Sequence, residues 1–593
     1  MPRQFLLSFR RKLRREHASA DERPYCCVPW IESPLDENDK DGPHLYHRSD
    51  ATPIELFFDL FFVACLATFT STNEIKNLEA LWSYVGFLGI IWFTWFQVTL
   101  FDVRFARDTV FERVCKAVQL ATMVGFASAG SGFSTQVRDE NVWIFHSFSV
   151  LLAASRLLLA VQYAVASIHL RNAMPKASKK LVYTSVSFLW MSFSYACLYY
   201  ILNDDGKSRG RYLWTALWFS FVSEVVQVFW VSLKTPGIGF ENTHLDIRMS
   251  LLTLIIIGEG VISITRIVNR TVGSRGWSRW SFVHILGVTT AVYLLWQSYH
   301  DISPRGYLRR VGQLIWTVLH FPFHIFLVLL SEGSQILALV LDIALKLKDL
   351  RQTIIWLCEH PRPHPAAAVN LLNSTIADMN IDYYRHRVLQ EMSAIDLTIQ
   401  SLRDHLPLCP TNGIPGFLDH EISQNLMKFV TVSLFATIGM EAPVGNTSSV
   451  GSDELLAMYL KQLGFVLVYY IILAAMTMFM FAAFVVLVQG KINRVRRAVM
   501  VGIRLVLGCA LMSLMAITAD SSMADALMTS PWVLFIFTVA LLIALLGDRL
   551  GGWLEHMCDK RVVSVPTSMA SMTQVVAPTT TISSVPGHGA LNV

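Results

Sequence analysis

Ala51-Thr52-Pro53-Ile54-Glu55-Leu56-Phe57-Phe58-Asp59-Leu60, continued by Phe61-Phe62-Val63-Ala64, opens the first strongly apolar stretch of the chain. A helix needs about 20 mostly apolar residues to cross the hydrocarbon core of a bilayer, because every backbone polar group must be satisfied inside the segment. Residues 53–70 fit that description while carrying two carboxylates. Glu55 and Asp59 lie four apart, so both project from one helical face together with Phe62. Ionisable groups within a span are costly, and each needs a partner, a wet cavity or a functional reason.

Eleven further stretches of this kind follow, and the twelve run 53–70, 78–101, 110–130, 142–168, 181–202, 212–233, 245–267, 279–299, 311–331, 463–488, 497–518 and 531–548. The first and seventh are the most polar. The composition agrees: of 593 residues 53% are hydrophobic and only 16% charged, against about 25% charged in soluble domains. A formal charge of +5 argues against a nucleic-acid partner. The 16 Trp, 36 Phe and 17 Tyr suit aromatic belts at two interfaces. The expected fold class is all-α, a polytopic transmembrane bundle of about twelve spans.

The expected organisation is a basic cytosolic tail (1–50), nine spans (51–342), an extramembrane loop (343–454), three more spans (455–549) and a disordered cytosolic tail (550–593). Arg104, Arg107, Arg113, Lys176, Lys179, Lys180, Arg494, Arg496 and Arg497 then fall on the cytosolic side, where positive charge concentrates. Four Arg between the seventh and eighth spans run against that bias. Asn269, Asn373 and Asn446 each begin an Asn-X-Ser/Thr triplet on the outer side, so all three are glycosylation candidates. Cys358 and Cys409 share the outer loop, where a disulfide is permitted. The loop is expected to open with an amphipathic continuation of the ninth span (Asp342 to Leu350) and to hold a helical, charge-dotted stretch near 375–405. The stretch Phe429 to Met440 is too short to cross and reads as an interfacial or buried helix. Met1 to Arg15 sets Phe5, Leu6, Leu7 and Phe9 among basic residues, as a lipid-held tail does, with a transit peptide as the alternative. Adjacent Cys26 and Cys27 are sites where palmitate can attach.

His244 and Arg248 repeat the four-residue spacing in the seventh span. Glu259 lies eleven residues beyond Arg248, on the same face and roughly 16 Å further along the axis. Spans one and seven start on the same side, so Glu55 and Asp59 should lie level with His244 and Arg248. Asp102, Arg104, Arg113, His300 and Asp301 are expected to join them in a cytosolic-side cluster. Deeper lie Arg156, Glu224, Glu259 and His320, and Arg156 can neutralise either Glu224 or Glu259. Gly258 and Gly260 flank Glu259, as at the broken helices of some transporters. Pro322 removes a helical hydrogen bond beside His320 and frees the carbonyl of Val318. Such charges either lock helices together or line a path, and the sequence leaves both open. No phosphate-binding loop, zinc spacing or nucleophile motif is present, so neither cofactor nor metal is expected and the chain does not read as an enzyme.

The segment 51–64 resembles the opening signature of the low temperature requirement A (LtrA) family. His244-Leu245-Asp246-Ile247-Arg248, with Ile256-Ile257-Gly258-Glu259, is similar to that family's second signature, although Ile247 stands where the family carries an acid. Asp102-Val103-Arg104, Arg156 and Tyr299-His300-Asp301 ahead of His320-Phe321-Pro322 are fainter matches. The resemblance covers 51–335 and, more loosely, the final three spans, and the long outer loop and basic N-terminus look like the fungal branch. It implies a multi-pass membrane protein linked by name to growth in the cold, with no catalytic or cofactor residues to carry over. The function expected is movement of a small, unidentified ion or solute, proton-coupled, through a polar path containing Glu259. The alternative is a non-transporting membrane scaffold or cold-adaptation factor. A lipid-directed enzyme is the third and weakest reading. The host membrane is expected to be the plasma membrane or another secretory-pathway membrane.

Overall fold

Thr52 stands in extended backbone ahead of Pro53, and its N–H donates to the Glu55 carboxylate at 2.8 Å. That bond satisfies a donor at a helix start, where the missing N–H of proline costs nothing. The helix so begun is α1 (Pro53–Thr72). Asn77 and Thr109 cap α2 (Leu78–Phe105) and α3 (Val110–Gly130), accepting from the backbone of Ala80 and Glu112 at 2.8 and 3.2 Å. There follow α4 (Val142–Leu170), α5 (Pro175–Ile201), α6 (Arg209–Lys234), α7 (Leu245–Thr271), α8 (Arg279–Ile302) and α9 (Arg310–Glu359). Beyond them come α10 (Pro365–Ala377), α11 (Leu389–Asp404), α12 (Glu421–Ala436), α13 (Ser452–Leu487), α14 (Arg494–Ser513), α15 (Met515–Thr518), α16 (Ser521–Met528) and α17 (Val533–Val563).

This computed structural model describes residues 28–563 except 37–43, 74, 76, 136–140, 202–208, 236, 242, 272–278, 305–309, 360–364, 382, 384–387, 405–420, 438–439, 441–450, 489–493, 519 and 531. Among the described residues the chain is all-helical apart from one bridge, Leu35 with Leu45. Among the described residues eight helices are long and apolar enough to cross a membrane: α1, α2, α4, α5, α6, α9, α13 and α17. The other four expected spans are present as helices (α3, α7, α8 and α14) but fall outside that set. In α3, α7 and α14 charged residues are interspersed, among them Glu112, Lys116, Arg248, Glu259 and Arg504.

At the centre stands α2, in which every residue from Gly86 to Phe105 is buried. Gly86 and Gly89 let α6 come close: a Cβ at either would lie 2.7 Å from the ring of Trp214 or Trp218. Helices α1 and α3 run parallel along one flank of it. Cys65 Sγ meets the Met123 carbonyl and Asn73 meets that of Ser131, both with a sequence offset of 58. On the outside, α1 exposes Ile54, Phe57 and Leu60, and α5 exposes Val186, Trp190 and Phe193. Such apolar area is a liability in water and an ordinary surface in lipid.

Two findings differ from the sequence reading. The ninth helix does not end near 331 but runs 50 residues through Pro322, about 75 Å at 1.5 Å per residue. Helix α13 likewise starts at Ser452 rather than 463. Their extensions, with α10, α11 and α12, turn much of 343–454 into packed helix, with Leu350, Ile354, Leu372, Leu426, Val430 and Leu455 buried. The short stretch at Phe429 belongs to the 16-residue α12, whose Phe435 stacks on Tyr459 of α13 at 4.2 Å. The described part of the N-terminal segment is docked rather than free. Pro29 and Trp30 accept from the first N–H groups of α3 at 3.0 and 3.1 Å, and Arg107 bonds Leu35 and covers the Tyr46 ring.

Candidate functional site: a polar seam and a histidine pair

Helices α1 and α7 meet along a seam with one register. His244 Nε2 lies 3.2 Å from Glu55 Oε2, Arg248 donates twice to Asp59 at 2.8 Å, and the Thr70 hydroxyl donates to Glu259 Oε1 at 3.5 Å. All three rungs share the offset of 189 residues, so the helices are parallel and rise together. The expected levelling of Glu55 and Asp59 with His244 and Arg248 is therefore found. The middle rung is the tightest. Asp59 and Arg248 are fully buried, and the Trp95 indole donates to Asp59 at 2.7 Å. A two-pronged guanidinium–carboxylate bond in an apolar surround offsets much of the desolvation of both charges.

The second expected pairing resolves in favour of Glu224. Arg156 on α4 bonds Glu224 on α6 through Nε at 3.0 Å and Nη2 at 2.9 Å. Tyr195 on α5 donates to the same carboxylate at 3.1 Å, and Arg156 reaches Thr94 on α2 at 3.2 Å. Four helices are tied at one buried point.

Other members of the expected cluster go elsewhere. Asp102 pairs with Lys116, a residue the sequence reading missed although it lies within the expected third span. Arg104 is buried but donates to the Leu100 carbonyl and the Tyr163 hydroxyl, with the Phe240 ring 4.4 Å away. Arg113 forms an exposed pair with Asp108. His300 stacks on Trp296 and, with Asp301, is exposed. These residues separate because rotation about each helix axis, not depth alone, decides which way a side chain faces. The missed pair Arg504–Asp548, at 2.7 and 2.6 Å, joins α14 to α17 in the same two-pronged way.

His320 lies inside α9, fully buried, with Nδ1 2.8 Å from the Trp316 carbonyl and Nε2 2.9 Å from the Tyr299 hydroxyl. His324, one turn on, was not anticipated. Its Nδ1 accepts from the Trp92 indole at 3.0 Å, and its Nε2 lies 2.8 Å from Thr253 Oγ1. A carbonyl only accepts and an indole N–H only donates. His320 therefore carries its proton on Nδ1, and His324 on Nε2. The i, i+4 spacing was visible in the sequence; the Trp92 partner, 232 residues away, was not.

Outside the bundle, His47 is partly buried beside the seam. Burial first, then the neighbouring His44 and His244, holds its imidazole below the ordinary histidine value. Of the expected glycosylation sites, Asn373 is exposed on α10, whereas Asn446 and the side chain of Asn269 lie outside the described residues. The Cys358 side chain and Cys409 lie outside them too. Among the described residues no three His, Cys, Asp or Glu side chains gather as a metal site requires.

No curated protein and no solved structure matches the chain. The family model described as bacterial low temperature requirement A protein (LtrA) matches residues 50–377. That match takes in α1 to α10, and so both the seam and the histidine pair. It also extends the resemblance from 335 into the helical region after α9. Carrying both signatures on the two helices that form the seam, the chain belongs to the LtrA family.

Proposed function

We propose that the α1–α9 bundle moves a small ion or solute, coupled to protons, along the α1–α7 seam past Glu259. The observation that carries this reading is the seam itself: three buried polar rungs in one register, running from the Pro53 end of the bundle toward its far side. The Glu55 and Asp59 rungs hold the two helices, and Glu259, which the Thr70 hydroxyl meets, sits between two glycines. Because α3 and α7 parallel α1, whatever layer α1 crosses they cross as well. That supports more crossings than the eight helices suggest by apolarity. We place both termini in the cytosol and the α10–α12 region outside, where exposed Asn373 is open to glycosylation.

Purified protein in vesicles carrying a pH-sensitive dye tests the reading. Glu259→Gln should abolish flux driven by a pH gradient, and Asp59→Asn should weaken it. If both variants conduct as the wild type does, the seam is not the path.

A second reading has its own support. The Arg156–Glu224 junction satisfies both charges with Tyr195 and Thr94, as a lock in a non-transporting scaffold would. Under it, Glu224→Arg combined with Arg156→Glu should restore whatever either single change destroys, and vesicles should show no flux.

A further inference from the structure

A second polar thread runs through α7, α8 and α9 without touching the ion pairs. Ser303, just past the end of α8, lies 3.2 Å from the hydroxyl of Ser250 on α7. The Tyr299 hydroxyl donates to Ser250 at 3.2 Å and lies 2.9 Å from His320 Nε2, so its one proton serves one of these partners at a time. Burial deepens along the thread. Ser303 and Ser250 are half-buried, Tyr299 is 5% exposed and His320 is wholly enclosed.

The chemistry of its ends fixes the direction of the bond between His320 and Trp316. His320 Nδ1 must donate to the Trp316 carbonyl, which leaves Nε2 with a lone pair facing Tyr299. Every other member is a hydroxyl, able to accept a proton on one side and give one up on the other. His324 has no such freedom. Its Nδ1 is met by an indole that can only donate, so a proton there would break the Trp92 bond. Satisfying His320 alone requires no more than Tyr299, yet Ser250 and Ser303 continue the row to the end of the bundle. Among the described residues, the titratable neighbours are His324 on α9 and Asp246 on α7, the latter acting on Tyr299. Helix α13 faces His320 with Phe484, whose ring is 5.0 Å away, and α2 contributes Trp92.

We propose that Ser303, Ser250, Tyr299 and His320 form a proton-entry wire that charges His320 from the Pro53 end of the bundle. One hydronium at Ser303 starts the relay. The Tyr299 O–H first turns from Ser250 to His320 Nε2. Ser303 then takes the hydronium proton and passes its own to Ser250, Ser250 passes its own to Tyr299, and the Tyr299 proton moves to His320 Nε2. The balance is one proton lost from water, one imidazolium formed and three hydroxyls regenerated. With no carboxylate described against it, the buried imidazolium is a transient carrier. The wire rests on the transport reading and supplies its coupling ion, but it does not run through Glu259.

The test is acid-driven proton uptake by vesicles holding the full chain and a trapped pH-sensitive dye, with valinomycin and potassium to clamp the potential. Tyr299→Phe should slow uptake at least about tenfold, as loss of a positioned proton-transfer group does. Ser250→Ala should slow it too, and Ser250→Thr, which keeps the hydroxyl, should restore it. Uptake at the wild-type rate in a Tyr299→Phe protein that elutes as the wild type does overturns the proposal. Should that variant not fold, Ser250→Ala decides: unchanged uptake again overturns it. Wild-type vesicles no faster than protein-free ones also overturn it. The transport reading fails separately, through Glu259→Gln: loss of uptake in Tyr299→Phe with none in Glu259→Gln keeps the wire and removes the seam.

Discussion

The α4–α6 junction and the α7–α9 histidine region lie in the same bundle but solve burial in opposite ways. At the first, Arg156 and Glu224 keep full charges and surround them with Tyr195 and Thr94. At the second, the four ring nitrogens of His320 and His324 meet a carbonyl, an indole and two hydroxyls. A buried charge pair is rigid, because separating it exposes each ion to a medium that cannot solvate it. A neutral hydrogen-bonded row can shift a proton with little movement of heavy atoms. The first arrangement suits holding helices together and the second suits carrying something. The α1–α7 seam has its tightest rung at Asp59 and Arg248 and its longest contact at Thr70 and Glu259.

The sharpest way to break this contrast is to remove half of the junction. Arg156→Met should cost about 3–5 kcal/mol, since it strands Glu224 in the apolar interior. Adding Glu224→Leu should recover most of that loss, as read by denaturant unfolding in detergent. If the double variant is no better than the single one, the junction is not a simple lock. Less is at stake at the histidines: Trp92→Phe leaves His324 Nδ1 without its donor and should cost about 1–3 kcal/mol by the same measurement. Glu259→Gln keeps shape and hydrogen-bonding capacity, so its stability cost should be smaller than that of Arg156→Met even where flux is lost. A large stability loss there would move Glu259 into the class of Arg156.

The smallest effect lies outside the bundle. Because His47 titrates below its ordinary value when docked, its contribution to docking is present above about pH 6.5 and is lost as pH falls through the lowered value. Cleavage by a protease within 28–50 should therefore speed up in mild acid. His47→Gln should remove that dependence.

Much of this site could be read from spacing. Glu55 with Asp59, and His244 with Arg248, each share a helical face, and two spans starting on one side must bring them level. Arg156 needed an acid, and the sequence offered two. What spacing could not supply was rotation about the helix axis. Arg104 and Arg113 have the right depth and face the wrong way, whereas Lys116 faces Asp102. Averaged hydropathy leaves α3 and α7 outside the apolar set because it cannot see that Lys116 meets Asp102 and Arg248 meets Asp59.

The sequence by itself determined a helical membrane bundle, its family and the level of its buried charges, because apolar length, motif and helical period are all local. Only the tertiary structure decided that Arg156 takes Glu224 rather than Glu259, that Trp92 holds His324, and that Ser303, Ser250, Tyr299 and His320 stand in a row. Each of those contacts joins separate helices, and packing alone sets how helices turn toward one another.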